Sequence, residues 1–247
     1  MKEYQNYLFD LYGTLVDIHT DEDSLRLWKR MSVFLGMNGV KIQPEDLHQL
    51  YLQEVTLQEQ EARTQRGSGA EIDIASVFES FYSINSNKHD IEYVAKVFRM
   101  LSLQKLHLFP GVPELMRRLK EQGKRLYLLS NAQALFTLPE IKALDLEQYF
   151  DGIVISSCEG YKKPSKEFYE IALKRYNLDP DDTVMIGNDD RADCWGAAEV
   201  GLDSMYIFTE QSPKRANPLP QIAECFSIFL MYFDSIKGSS RAKISVK

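Results

Sequence analysis

The feature that most constrains this chain is a strand pattern standing alone at its start. Tyr7, Leu8 and Phe9 form a short apolar run behind the polar Gln5 and Asn6, and the run ends on a carboxylate, Asp10. Such a run reads as a brief buried strand, spanning Tyr4 to Phe9 with its flank. Gly13 then permits a sharp turn. From about Thr20 to Leu106 the pattern is helical instead, so the first strand has no partner nearby. It is expected to join a sheet built from the later part of the chain, across the helical block.

The block reads as four helices. Thr20 or Asp21 starts the first, with Leu25, Trp28, Met31 and Leu35 on one face. Pro44 opens the second, with Leu47, Leu50, Tyr51 and Val55; Val77, Phe78, Phe81 and Tyr82 suit a third, and Ile91, Val94, Phe98 and Leu101 a fourth. Between the second and third, Arg63 to Gly69 is a loop where glycines stop the helix.

After Phe109-Pro110-Gly111 the texture alternates: helix Pro113 to Gln122, strand Arg125 to Leu129, more helix, strand Gly152 to Ser156, helix Ser165 to Tyr176, then strands Thr183 to Ile186 and Ser204 to Phe208. Strands alternating with helices imply crossover connections and a parallel sheet. Ile222, Phe226, Phe229, Phe233 and Ile236 follow helical spacing, and the basic tail from Gly238 is expected to fray. The domains expected are a core of residues 1–16 and 108–237, a helical cap of 17–107 and a tail of 238–247.

At 247 residues and 44% hydrophobic content the chain can bury a full core and a second, smaller domain. A net charge of −7 without a long basic run argues against a nucleic-acid groove or an anionic membrane surface as the main partner. A small anionic molecule is the expected partner. Cys158, Cys194 and Cys225 support neither a disulfide framework nor a zinc site, and with no targeting segment a cytoplasmic location is expected.

Ligands of an open parallel sheet bind beyond the carboxyl ends of its strands. Asp10, Tyr12 and Thr14 follow the first strand; Ser130 and Asn131 follow the second; Lys163 precedes the helix after the third; Asn188, Asp189, Asp190 and Asp193 follow the fourth. A nucleophilic carboxylate, a hydroxyl, a lysine and an acidic cluster are thereby expected on one edge. Each has a plainer reading as well. Asp10 and Ser130 could cap turns or helices, Asp193 could pair with a lysine, and Asp190 and Lys162 could be solvated surface. His19, His48, His89 and His107 show no ligand spacing.

The set resembles the haloacid dehalogenase superfamily in motif order and spacing, and Phe109 to Val112 and Gly196 to Ala198 are similar to it too. The resemblance covers about two thirds of the chain. It implies an α/β, Rossmann-like parallel-sheet core with an inserted all-helical cap, and attack by Asp10 on the substrate to give a covalent aspartyl intermediate that water hydrolyses. Ser130 would bind substrate oxygens and Lys163 would neutralise nucleophile and substrate. Thr14 and Asn131 are further substrate-binding candidates, as is Arg66 beside the glycine-rich cap loop.

Phosphatases of the superfamily usually carry an aspartate two residues after the nucleophile to protonate the leaving oxygen; here Tyr12 fills that slot. A phenol with a reference pKa near 10 is a poor base at neutral pH, and the substitution resembles the 2-haloacid dehalogenases, whose halide leaving group needs no proton. Tyr169 also fits their pattern, yet the arginine with which they grip substrate has no match beyond a weak candidate, Lys29. The fourth motif points the other way, because Asp10, Asp189, Asp190 and Asp193 would repel one another without a cation. Magnesium held by Asp10, the Tyr12 carbonyl and Asn188 or Asp189 would meet that need. The expected activity is a magnesium-dependent phosphohydrolase acting on a small phosphorylated metabolite. A metal-independent 2-haloacid dehalogenase is the alternative, and a catalytically lapsed phosphate-binding protein the third reading.

Overall fold

The computed structural model describes residues 2–81 and 88–214. The expected C-terminal helix, the tail and Tyr82 lie outside the described residues. Strand β1 (Asn6–Phe9) is followed by β2 (Val16–Thr20), then by helices α1 (Leu25–Met37), α2 (Pro44–Arg66), α3 (Ile74–Glu79) and α4 (Lys88–Ser102). Then come β3 (Leu103–Leu108), α5 (Val112–Glu121), β4 (Arg125–Ser130), α6 (Ala134–Ala143), β5 (Gly152–Ile155), α7 (Ser156–Glu159) and α8 (Lys166–Tyr176). Strand β6 (Thr183–Gly187), a π-helical segment (Asp190–Trp195), a short helix (Gly196–Ala198) and β7 (Asp203–Tyr206) complete the order.

The N-terminal strand does cross the insertion. β1 pairs in parallel with β4 on one side (Phe9 opposite Leu128) and with β6 on the other (Phe9 opposite Ile186). It is the central strand of a five-stranded sheet ordered β5-β4-β1-β6-β7. All four residues of β1 are buried, as expected of a parallel strand covered on both faces. Tyr7 and Phe9 pack with Leu126, Leu128, Val184, Ile186 and the buried face of α5, while Leu8 points the other way into Tyr127, Leu129, Met185 and the Phe168–Tyr169–Ala172 face of α8. The doubly buried sheet is what fixes Asp10 at its edge.

The helical block has its own core. Trp28, Met31 and Leu35 of α1 meet Leu47 and Tyr51 of α2, Val77 and Phe78 of α3 and Phe98 of α4. Burying side chains of this size stabilises by roughly 1.5–3 kcal/mol each, so the cluster supports the block largely from within. Leu25, expected on that face, is half exposed, because the helix starts at Leu25 rather than at Thr20 or Asp21.

Other boundaries also differ from the sequence expectation, β1 beginning at Asn6 and not at Tyr4. The residues on either side of the helices are an antiparallel ribbon, β2 with β3, in which Val16 faces Leu108 and Asp17 faces His107. Its alternation was hidden because each strand is short and abuts a helical pattern. Ser156 begins α7 instead of ending β5, where its hydroxyl accepts from Ala132 N (2.9 Å). The last strand is Asp203–Tyr206 rather than Ser204 to Phe208. No helix among the described residues is long and apolar enough to cross a membrane.

Candidate active site

Asp10 follows β1 directly, and its N–H donates to the Ile186 carbonyl of β6 (2.9 Å), so the sheet itself sets where the carboxylate stands. The chain then folds back on itself: the N–H groups of Leu15 and Val16 donate to Leu11 O (2.8 and 2.9 Å), and Gly13 adopts φ 81°. A side chain at Gly13 would be strained there and would also stand 2.3 Å from Asn188 Nδ2. This tight turn returns Thr14 beneath Asp10, where its hydroxyl donates to Asp10 Oδ2 (2.9 Å) and lies 3.2 Å from Asn188 Oδ1. Thr209, just beyond β7, anchors the turn by donating to Gly13 O (2.7 Å).

Lys163 enters from the loop after α7. Its Nζ is 2.7 Å from Asp10 Oδ1 and 2.7 Å from Asp193 Oδ1, and its side chain is 1% exposed. Burial alone would lower the ammonium's pKa, but the two carboxylates outweigh it and hold the group above its ordinary value. At Asp193 burial wins instead: it pushes the carboxyl up to about 6, against the pull of Lys163, and the Asp10 charge adds to the rise. Its second oxygen accepts from Asp189 N (2.9 Å). Gly187 lets Asp193 approach the end of β6, since a Cβ at that position would lie 2.1 Å from Asp193 Oδ2.

The other expected residues divide into two groups. Ser130 Oγ, at the end of β4, is buried and has no hydrogen-bond partner among the described residues. Such an atom is costly unless something else supplies the partner. Asn131, by contrast, bonds the Lys163 backbone with both ends of its amide: Nδ2 donates to Lys163 O (2.9 Å) and Oδ1 accepts from Lys163 N (2.7 Å). Asn188 is buried and donates to Thr209 Oγ1 (3.4 Å). Asp189 Oδ1 caps the π-helical segment, accepting from Arg191 N and Ala192 N (2.8 and 2.9 Å). Tyr169, fully buried, donates to the carbonyls of Ala192 and Asp193 (2.8 and 3.0 Å) and so holds the backbone that carries Asp193.

Arg66 sits at the exposed C-terminal end of α2, with its guanidinium against Gly160 and 3.5 Å from the Glu71 carbonyl it donates to. Among the described residues no hydrogen bond ties it to Asp10, Ser130 or Lys163. The loop beside it docks through backbone instead: Lys162 N donates to Gly69 O (2.8 Å), Glu71 N to Gly160 O (3.0 Å), and Ala70 bridges Tyr161. Lys162 is 3.6 Å from Glu71 Oε1, and Lys29 is exposed on α1. His48 stacks on Trp28 at 4.6 Å, while His19 and His107 are exposed on the β2–β3 ribbon.

Tyr12 turns its phenol away from this cluster. The hydroxyl hydrogen-bonds Glu140, and Thr137 Oγ1 lies 3.0 Å away, both on α6. Burial and the Glu140 charge raise its pKa beyond the ordinary value, so the phenol keeps its proton. Glu140 in turn binds Arg99 of α4, Nε to Oε1 at 2.6 Å and Nη2 to Oε2 at 3.3 Å. Arg99 Nη1 is 3.9 Å from Glu22, whose own pKa burial raises. No spacing in the sequence marks Glu22, Arg99 and Glu140 as a set.

Among the described residues no three His, Cys, Asp or Glu side chains converge to hold a metal ion by themselves. The oxygens at hand are a carboxylate, the Asn188 amide and a main-chain carbonyl. Asp10 and Asn188 both face the Thr14 hydroxyl, and two carboxylates oppose one lysine. That donor set is hard and short of charged ligands, which fits an ion such as magnesium that retains waters.

A family model described as haloacid dehalogenase-like hydrolase matches residues 4–201. A glyceraldehyde 3-phosphate phosphatase of Pyrococcus abyssi is 31% identical over 98 residues, 40% of this chain and 41% of that one. The alignment thus spans about two-fifths of that relative's length. Among solved structures, a HAD phosphatase from Thermococcus onnurineus superposes with a TM-score of 0.61 at 19% identity, covering 96% of this chain and 100% of the other. A dehalogenase with an intermediate complex gives 0.56 at 17% identity, over 94% and 98%. At these identities the two structures speak for the fold alone.

Proposed function

The chain belongs to the haloacid dehalogenase-like hydrolases, and we propose that within them it is a phosphohydrolase that uses Asp10 to attack a small phosphorylated metabolite. The observation that carries this reading is the Lys163 ammonium, 2.7 Å from both Asp10 and Asp193, together with the Ser130 hydroxyl, buried at the end of the neighbouring strand and without a hydrogen-bond partner among the described residues. A buried cation lets a carboxylate and a phosphoryl dianion meet, and a buried donor lacking an acceptor is suited to a phosphoryl oxygen. The curated relative's name, a glyceraldehyde 3-phosphate phosphatase, favours the same class of substrate.

In this reading a carboxylate oxygen of Asp10 forms a bond to phosphorus as the bond to the leaving oxygen breaks. Water then attacks phosphorus, releasing inorganic phosphate and restoring the Asp10 carboxylate. Thr14 holds the carboxylate's second oxygen, and Asn131 orients Lys163 through its backbone. Asp193 anchors the lysine from the other side. Of the described residues, 2–16 and 108–214 would form the catalytic core, and 17–81 with 88–107 the cap. Magnesium, when bound, would offset the charge of the phosphoryl oxygens; Asp10, the Tyr12 carbonyl and Asn188 or Asp189 are the residues that would hold it.

A second reading, 2-haloacid dehalogenase, is favoured by Tyr12. No carboxylate stands two residues after Asp10, and the phenol there is committed to Glu140. A halide leaves without a proton, whereas an alkoxide needs one. The discriminating experiment measures phosphate against halide release over a panel of sugar phosphates, aryl phosphates and 2-haloacids, with and without magnesium. Phosphate release that chelation abolishes is expected. Metal-independent halide release with no phosphate would overturn the proposal.

A further inference from the structure

We propose that Glu140 is a positioning residue that couples the seating of the helical block to the turn carrying Asp10; this rests on the reading of Asp10 as nucleophile. Glu140 lies on α6 of the core and is 7% exposed. One carboxylate serves two masters there. Its Oε2 takes the phenol of Tyr12, two residues after Asp10, and both its oxygens take Arg99 of α4 in a fork. The Arg99 guanidinium lies 5.2 Å over the Phe136 ring and 5.8 Å over the Tyr12 ring, so it closes the space above both.

The physical link is the cost of a buried charge. A carboxylate removed from water is tolerated when its cationic partner is in place and is strongly unfavourable without it. If the block lifts, Glu140 loses Arg99 and must turn toward water or remain uncompensated. Either way the acceptor that orients Tyr12 changes. Tyr12 belongs to the same tight turn whose Leu11 carbonyl receives Leu15 and Val16, and whose Thr14 steadies the Asp10 carboxylate. Docking of the block is thereby felt at the nucleophile through Tyr12 and its turn.

A second seam makes this coupling consequential. Residues 69–74 lie along the loop of Lys163: besides the backbone bonds of Gly69 and Glu71, Gln133 grips Ile74 N (2.9 Å) and Ile72 O (3.0 Å), and Ser156 donates to Glu71 (2.8 Å). The block therefore bears on Lys163 from one side and on the Asp10 turn from the other. The Arg99–Glu140 contact is the side where a forked charged pair, rather than backbone bonds, makes the join.

The test is a double-mutant cycle on Tyr12→Phe and Arg99→Lys, run with p-nitrophenyl phosphate, and repeated in a Glu140→Gln background. Phenylalanine keeps the ring beneath Arg99 and removes the hydroxyl's bonds to Glu140 and Thr137; lysine keeps the charge and loses the fork. Each single change is expected to lower kcat about tenfold with KM within about twofold. The double variant should be no worse than the weaker single, and the coupling should shrink in the Glu140→Gln background, where the charged fork to Arg99 is lost. Multiplying effects, or an unchanged kcat with a lowered Tm, would overturn the proposal.

Hydrogen exchange of the peptide covering residues 8–16 supplies a readout that needs no turnover. Arg99→Lys should speed exchange of the Tyr12 to Thr14 amides several-fold; equal exchange would overturn the coupling. If Arg99→Lys does not fold, Glu140→Gln is measured in its place, since its amide oxygen still accepts from Tyr12. Wild-type protein that releases halide and no phosphate would sink the phosphohydrolase reading alone, because the exchange measurement still decides the role of Glu140.

Discussion

Two cations in this molecule, the buried Lys163 and the half-buried Arg99, each stand between two carboxylates, and they do different work. Lys163 is held by Asp10 and Asp193 at equal distances of 2.7 Å, all three groups coming from the parallel-sheet core. Arg99 is held by Glu140 of the core at 2.6 Å and by Glu22 at 3.9 Å, and it belongs to the inserted helices. The lysine cluster is built from core residues alone. The arginine cluster joins the helical block to the core. Preorganised charge suits the step in which anions must meet, whereas charge split between two bodies suits the sensing of closure.

The largest effect expected is at the nucleophile. Asp10→Asn should reduce product release by at least about 10⁴-fold while leaving the fold intact, because the change is nearly isosteric and removes the attacking charge. Steady-state kinetics beside a thermal melt checks this; turnover retained by a folded variant would end the covalent mechanism. Mass spectrometry of wild-type protein quenched during turnover should detect the aspartyl adduct, and the variant should lack it.

Lys163→Met comes next, and is where the two clusters should differ most. It leaves Asp10 and Asp193 facing each other without a cation, and breaking a buried pair in this way costs ~3–5 kcal/mol. Urea denaturation should show the loss, and adding Asp193→Asn should recover part of it by removing one of the stranded charges. No recovery would mean that Lys163 stabilises through packing and not through charge.

The Asp193 carboxyl gives a pH prediction with a definite sign. Its folded pKa is pushed up to about 6 from an ordinary value of 3.8, chiefly by burial. Between those values the native state still holds the proton while the unfolded chain has released it, so the unfolded state binds fewer protons and stability falls as pH rises through the window. Above the window this contribution is flat. Denaturation midpoints of wild type and Asp193→Asn, measured across the range, should diverge in slope only there; parallel curves would show that Asp193 does not carry the shift.

The same contrast explains what could be read from the sequence. Asp10, Ser130, Lys163 and Asp193 follow strand ends, and a parallel sheet gathers strand ends by its topology, so their convergence was legible once the strands were. The return of β1 to the later sheet was legible for the same reason. Glu22, Arg99 and Glu140 lie on a loop and two helices whose relative placement depends on how one body seats on another, and no periodicity encodes that. Asn131 illustrates a finer limit. Its position near the other strand-end residues was visible, but that its amide holds the Lys163 backbone depends on a loop path that spacing does not record. The β2–β3 ribbon was hidden because Leu103, Leu106 and Leu108 continue into a helical pattern as readily as into a strand.

The smallest expected effect sharpens the comparison most closely. Glu22 and Glu140 both carry charge toward Arg99, but Glu22 is farther away, more than a third exposed, and also 3.3 Å from the Tyr51 hydroxyl. Arg99 between two carboxylates leaves one negative charge uncompensated, so neutralising Glu22 leaves a balanced pair with Glu140. Glu22→Gln should therefore change stability by no more than about 1 kcal/mol, as for a solvated ion pair, and leave kcat within about twofold. Glu140→Gln should do clearly more, because it weakens the bond that spans the two bodies. Thermal melts and kinetics on the two single variants check the asymmetry. Equal losses would mean that Arg99 is fixed from within the helical side, that its contact with Glu140 only follows, and that the distinction between a preorganised cluster and a seating-dependent one does not hold for this protein.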